Sequence, residues 1–186
     1  MPLRSGTYEV GPENGSLLIR TKRAGAAARI GHDLVLEATA WHATVVADAE
    51  DPARSSLTVT VDAGSFVVLE GSGGALPLSD GQRGEIVDNI RDKVLHSARH
   101  PTITFTSRAV DGTAKRAKVS GELSLAGRTR PAVLDVSVAE RAGGVRLTGA
   151  TSITQTDFGI TPYRAFLGQL RVADVVELSV DVRLGD

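Results

Sequence analysis

From Val176 to Leu184 every second residue is apolar (Val176, Leu178, Val180, Val182, Leu184), and Glu177, Ser179, Asp181 and Arg183 between them are polar. A period of two sends alternate side chains to opposite faces, so this segment predicts a strand with one wet and one apolar face. The signature recurs and predicts strands at Ser16 to Lys22, Ala28 to Glu37, Ala40 to Ala47, Leu57 to Asp62 and Ser65 to Leu69. It continues at Thr102 to Val110, Ala117 to Leu125, Ala132 to Glu140, Val145 to Thr156 and Val172 to Leu184. Glu13-Asn14-Gly15, Asp51-Pro52, Asp111-Gly112, Gly127 with Pro131, and Gly143-Gly144 mark the turns between them. One helical pattern interrupts the series. Ser79 and Gln82 fit a capping box, Ile86, Val87, Ile90, Val94 and Leu95 follow at helical spacing, and Pro101 bounds the far side. Many strands with short connections and one helix near residues 79–96 predict a single all-β domain over residues 1–186, an antiparallel barrel or sandwich with a helical insertion.

Composition narrows the function classes. The 186 residues are 41% hydrophobic and 23% charged, ordinary for a globular chain with one sizeable core. A net charge of -1 supplies no global field toward nucleic acid, and none is expected as a partner. The absence of cysteine removes disulfides, thiolate metal sites and cysteine nucleophiles. Met1 to Gly6 contain no apolar leader core, and no segment approaches the roughly 20 apolar residues of a membrane-spanning helix. The expectation is a soluble, cytoplasmic chain, or a periplasmic or secreted one if a native leader has been removed. Gly71-Ser72-Gly73-Gly74 reads as a flexible approach loop, because no Gly-Lys-Ser/Thr completes a phosphate cradle. No Gly-x-Ser-x-Gly, metal triad or nucleotide loop is present, so neither a catalytic residue nor a cofactor is assigned.

Four ordered blocks carry a family resemblance. They are Arg99-His100-Pro101-Thr102-Ile103-Thr104-Phe105-Thr106-Ser107, Val119-Ser120-Gly121-Glu122-Leu123-Ser124-Leu125-Ala126-Gly127, Arg128-Thr129-Arg130-Pro131 and Asp157-Phe158-Gly159-Ile160. In order and spacing they resemble the YceI-like family of lipid-binding or polyisoprenoid-binding proteins, over roughly Thr7 to Leu184. The resemblance implies an extended, lipocalin-like antiparallel barrel of about eight strands that binds an isoprenoid, an isoprenoid quinone or a fatty acyl compound for storage or transfer. It also implies a homodimer. The chain departs from the family in having Tyr8 near a common Trp, Asn14-Gly15 near a His-Ser pair, and Gln155-Thr156 where a basic residue often precedes the Asp-Phe-Gly-Ile block.

Aromatic residues are 4% of the chain, so an eight-stranded interior would be lined by Val, Leu, Ile, Ala and Gly and left with unfilled volume. A tight core without aromatics is the competing reading. Candidate ligand contacts are Phe66, Ile103, Phe105, Leu123, Leu125, Phe158 and Phe166, with Leu34, Leu36, Leu76, Ile90 and Leu95. His32 shares strand parity with Ile30, Leu34 and Leu36, and Tyr163 and Trp41 combine an apolar body with a polar tip. His32 and Tyr163 are therefore candidate head-group contacts. His96 and His100 stand four apart, but Pro101 stops the helix and no third ligand is evident, so no metal site is assigned. Arg20, Lys22, Arg23 and Arg29 form a basic cluster, either a solvated face or a rim that meets an anionic head group. Two other function classes stay open: a small-molecule enzyme using His32, Asp33, Tyr163 and Asp157, and a scaffold whose cavity is incidental.

Overall fold

The computed structural model describes residues 3–141 and 144–184, so the predicted Gly143-Gly144 turn lies partly outside the described residues. Strands follow the period-two pattern: β1 (Gly6–Val10), β2 (Gly15–Thr21), β3 (Arg23–Ala24), β4 (Asp33–Ala38), β5 (Trp41–Ala47), β6 (Ser56–Asp62) and β7 (Phe66–Ser72). After helix α1 (Asp80–Asn89) come β8 (Thr102–Gly112), β9 (Arg116–Leu125), β10 (Arg128–Arg141), β11 (Gly144–Thr154), β12 (Arg164–Ala165), β13 (Leu170–Val172) and β14 (Val175–Leu184).

Eleven strands pair antiparallel in the order β1-β5-β6-β8-β9-β10-β11-β14-β2-β4-β7, three more than the expected eight. Connection lengths dictate how this sheet curls. β4 and β5 lie near opposite ends of the strand order, yet only Thr39 and Ala40 join them. β6 and β7 are similarly remote and are joined by Ala63, Gly64 and Ser65. The two ends of the sheet must therefore meet at one corner. There Thr39 N donates to Ser65 O at 3.1 Å and Asp62 N to Ala40 O at 2.9 Å. Register shifts at Val35/Leu36 and Ser107/Ala109 are bulges of the kind that bend a sheet. The result is a curled, lipocalin-like all-β layer.

The predicted strand from Ala28 to Glu37 is shorter than expected. Ala28–Ile30 form a 3-10 turn, and β4 starts at Asp33. A Cβ at Gly31 would lie 2.5 Å from a Leu170 methyl carbon, so the chain here packs closely on β13 instead of pairing in the main sheet. The parity assigned to His32 ends with it. β12, β13 and β3 form a small separate sheet that also lies outside the predicted set.

The helix begins as expected. Ser79 Oγ accepts from Gln82 N at 3.2 Å, and Gln82 Oε1 accepts from Ser79 N at 2.9 Å. Arg83 donates to the carbonyls of Val68 and Leu69, both at 3.0 Å, which fixes α1 on edge strand β7. From Ile90 to Val94 the helix widens to i→i+5 hydrogen bonding, with Leu95 N donating to Ile90 O at 2.8 Å. That wider turn brings Leu95 beneath Ile90, so Ile90, Val94 and Leu95 all face the interior.

The buried core consists of two apolar clusters. Trp41, Val61, Phe66, Val182 and Leu184 belong to one, and Phe105, Val119, Leu125, Phe158 and Ile160 to the other. Between them the interior is not filled.

Candidate functional site

Inward positions of the strands surround two neighbouring cavities of about 140 Å³ and 190 Å³. Ile19, Phe66, Ile103, Leu123, Ile153 and Leu178 line both, so the two adjoin across a shared wall. The first cavity lies within the curl. Its smallest wall residues are Ala43 on β5, Ala132 on β10, and Gly149 and Ala150 on β11. Small side chains on facing strands leave a gap that no neighbour reaches across. An apolar void of roughly 150 Å³ stays dry and accepts an apolar guest, and this one is lined almost wholly by aliphatic carbon.

The second cavity lies under α1 and the small sheet. Ile86, Ile90, Val94 and Leu95 come from the helix segment, Leu34 and Leu36 from β4, and Val172 from β13. It carries a few polar side chains, Thr21, Asn89, Gln155 and Tyr163, as the first carries Thr151 and Ser179. Gln155 is buried and its Nε2 donates to Ala173 O at 3.0 Å. Thr21 Oγ1 is buried without a hydrogen-bond partner among the described residues, as is Trp41 Nε1 beside the first cavity. Both cavities are therefore almost wholly apolar, with single polar side chains set into their walls.

The candidate residues divide by position. Phe66, Ile103 and Leu123 line both cavities and Phe105 the first, while Leu34, Leu36, Ile90, Leu95, Leu125 and Tyr163 line the second. Phe158 is buried in the second core cluster and borders neither. Leu76 and Phe166 are 77% and 61% exposed. His32 is a clasp on the β7–α1 loop, with Nε2 at 2.8 Å from the Leu76 carbonyl oxygen. That loop is not an open arm. Gly73 and Gly74, with φ of 78° and 75°, pass so close to the Arg23 guanidinium and the His32 imidazole that a Cβ on either would collide with them.

Sequence reasoning missed Thr21, Asn89 and Gln155. Thr21 carried a signal, because it continues the inward parity of Leu17 and Ile19 and breaks their apolar character. Gln155 sits at the end of β11, where the strand turns into the Gln155–Phe158 3-10 turn.

The basic cluster is partly neutralised. Asp33 accepts from Arg23 N at 2.9 Å and pairs with Lys22 Nζ at 3.3 Å, while Arg23 Nη1 donates to Gly31 O at 2.7 Å. Arg20 donates to Ser179 Oγ at 2.8 Å. The Arg23 amide, with Lys22 assisting against partial desolvation, holds the Asp33 carboxyl below the usual carboxylate value. Its stabilising contribution is therefore full at pH above the ordinary carboxylate value and is lost as pH falls through the lowered folded value. Asp33→Asn is expected to cost about 1 kcal/mol at neutral pH and nothing in strong acid. Urea unfolding of both proteins across that range checks it, and a constant gap would count against this role.

His96 and His100 share no third ligand; among the described residues no group of three or more His, Asp or Glu is placed to hold a metal ion. No described helix is long and apolar enough to cross a membrane.

The family model described as a YceI-like domain matches residues 8–184. No curated protein sequence matches the chain. Among solved structures, BcnA of Burkholderia cenocepacia has a TM-score of 0.70 at 19% identity, covering 91% of this chain and 95% of that one. A YceI protein of Campylobacter jejuni has a TM-score of 0.61 at 18% identity, covering 81% and 84%. A polyisoprenoid binding domain from Saccharophagus degradans, implicated in plant cell wall breakdown, has a TM-score of 0.62 at 12% identity, covering 98% and 99%. At these identities the likeness is one of fold.

Proposed function

We propose, from the premise that this chain belongs to the YceI-like family, that it binds and carries a long apolar or amphiphilic molecule, an isoprenoid or fatty acyl compound, without turning it over. The observation that carries the reading is the pair of adjoining, almost wholly apolar cavities, one inside the curl and one under α1. A flexible hydrocarbon chain fits such a space. Each buried methylene contributes about 0.8 kcal/mol, so one five-carbon unit contributes roughly 3 kcal/mol before ordering losses. The polar end of the ligand lies by Tyr163, Asn89 and Gln155. The polyisoprenoid binding domain of similar fold supports this ligand class.

Turnover has less support. The polar atoms proposed for an enzyme do not converge: His32 holds the Leu76 carbonyl, Asp33 holds Arg23 and Lys22, and Tyr163 borders the second cavity. Organic extraction of the purified chain followed by mass spectrometry tests the reading. The expected result is one apolar chain-bearing molecule per protein. An extract without lipid, from a chain that also takes up no added isoprenoid or fatty acid, would overturn it.

A further inference from the structure

On the side where α1 and the small sheet lie, the surface carries apolar side chains that no described residue covers. Leu167 is fully exposed, Phe166 and Leu76 are mostly exposed, and Ile30 is half exposed. The backbone gathers them: Ala27 N donates to Gln169 O at 2.9 Å, and the Leu76 carbonyl is held by His32, two residues beyond Ile30. Phe166 and Leu167 adopt φ of 50° and 56°, a left-handed conformation that bulky residues rarely occupy. Burial within the chain does not offset that strain, because both side chains stand in water.

Three arginines accompany these side chains. Arg164 and Arg171 are directly opposed across β12 and β13, and Arg29 precedes Ile30. None has an ion-pair or side-chain hydrogen-bond partner within the protein among the described residues. Residues 24–32 and 161–173 contain no carboxylate. Like charges directly opposite one another across a strand pair are destabilising, and an anionic surface would relieve this pair. The near-neutral net charge hides a local basic patch.

We propose that this surface docks on an anionic lipid bilayer, with Phe166 and Leu167 entering the interface and Arg29, Arg164 and Arg171 meeting lipid phosphates. A bilayer fits better than a protein partner. A stable protein interface buries about 1,200–2,000 Å², whereas a few protruding side chains on one turn suffice to enter a lipid interface. The proposal builds on the carrier reading, since Tyr163 and Val172 of the same hairpin border the second cavity, and docking sets that cavity beside the bilayer.

Flotation of the full chain with phosphatidylcholine vesicles, and with equimolar phosphatidylcholine and phosphatidylglycerol vesicles, is the test. Binding is expected to the anionic vesicles, weakening as salt is raised. Phe166→Ser with Leu167→Ser should lower affinity at least about tenfold, and Arg164→Gln with Arg171→Gln about thirtyfold. Melting temperature and extractable lipid should stay at the level of the unsubstituted chain. Equal binding to both vesicle types, or binding to neither, would overturn docking. So would a change of oligomeric state on removing Phe166 and Leu167, which would make the surface a protein contact. A lipid-loaded chain that does not float refutes docking and leaves the carrier reading, and an empty chain that floats does the reverse.

Discussion

A chain carrying Ala43→Leu together with Ala132→Leu is expected to lose its extractable lipid while it still folds and melts cooperatively. Both alanines border the first cavity, on β5 and β10, and their small side chains leave room for a guest. Leucine at both positions puts aliphatic carbon where the ligand's methylenes would lie. Displacing three or four methylenes removes roughly 3 kcal/mol of burial, about a hundredfold in affinity. Stability should change little or rise, since the added carbon enters a void rather than a filled core. Mass spectrometry of organic extracts and thermal melting read the two quantities separately. Full lipid occupancy with both leucines in place would put the ligand outside this cavity.

Gly15→Val should be among the most damaging single substitutions in the chain. Gly15 opens β2 opposite Val182 of β14, and a Cβ there would run into the Asp181 carbonyl oxygen and approach Val182 Cα to 2.8 Å. Backbone atoms cannot rotate aside, so β2 must separate from β14. A loss of about 3 kcal/mol or more is expected, which for a chain of this size lowers the melting temperature by roughly 6 to 12 °C. Gly84→Ala is the control. On α1 nothing lies within 4 Å of the added carbon, and alanine should stabilise that helix by about 0.5–1 kcal/mol. If both variants melted alike, close approach at Gly15 would not be what the fold requires.

The long strands were legible because the side-chain period survives wherever one face is buried. Val176 to Leu184 alternates without a break, and β14 runs over that span; Thr102 to Val110 and Ala117 to Leu125 fall within a few residues of β8 and β9. The helix start was legible from Ser79 and Gln82, whose capping bonds are local. What escaped depends on distant partners. β1 offers only Tyr8 and Val10 to the interior, too short a run to stand out, and it is ordered by pairing with β5. β3, β12 and β13 are two or three residues each and exist because Arg23 and Ala24 meet Val172 and Arg171. His32 was assigned inward by counting from Leu34, but the period ends where the strand ends, one residue away. The cavity wall was legible as a class of small and aliphatic residues. Its polar members were not, because Thr21, Asn89 and Gln155 come from a strand, a helix and a turn that only the fold brings together.

The order of strands also bears on when the molecule can form during synthesis. β2, made from residues 15–21, lies between β4 and β14, and its partner positions in β14 are residues 177–182. One side of an early strand thus waits for residues 177–182 to be made. Until then Leu17 and Ile19 lack the β14 wall across from them, and the strand edge stands open. Contacts this remote in sequence close slowly and expose nascent chains to aggregation. The sheet can be completed only after synthesis has passed β14, so the cavity assembles late however early its first strands are made.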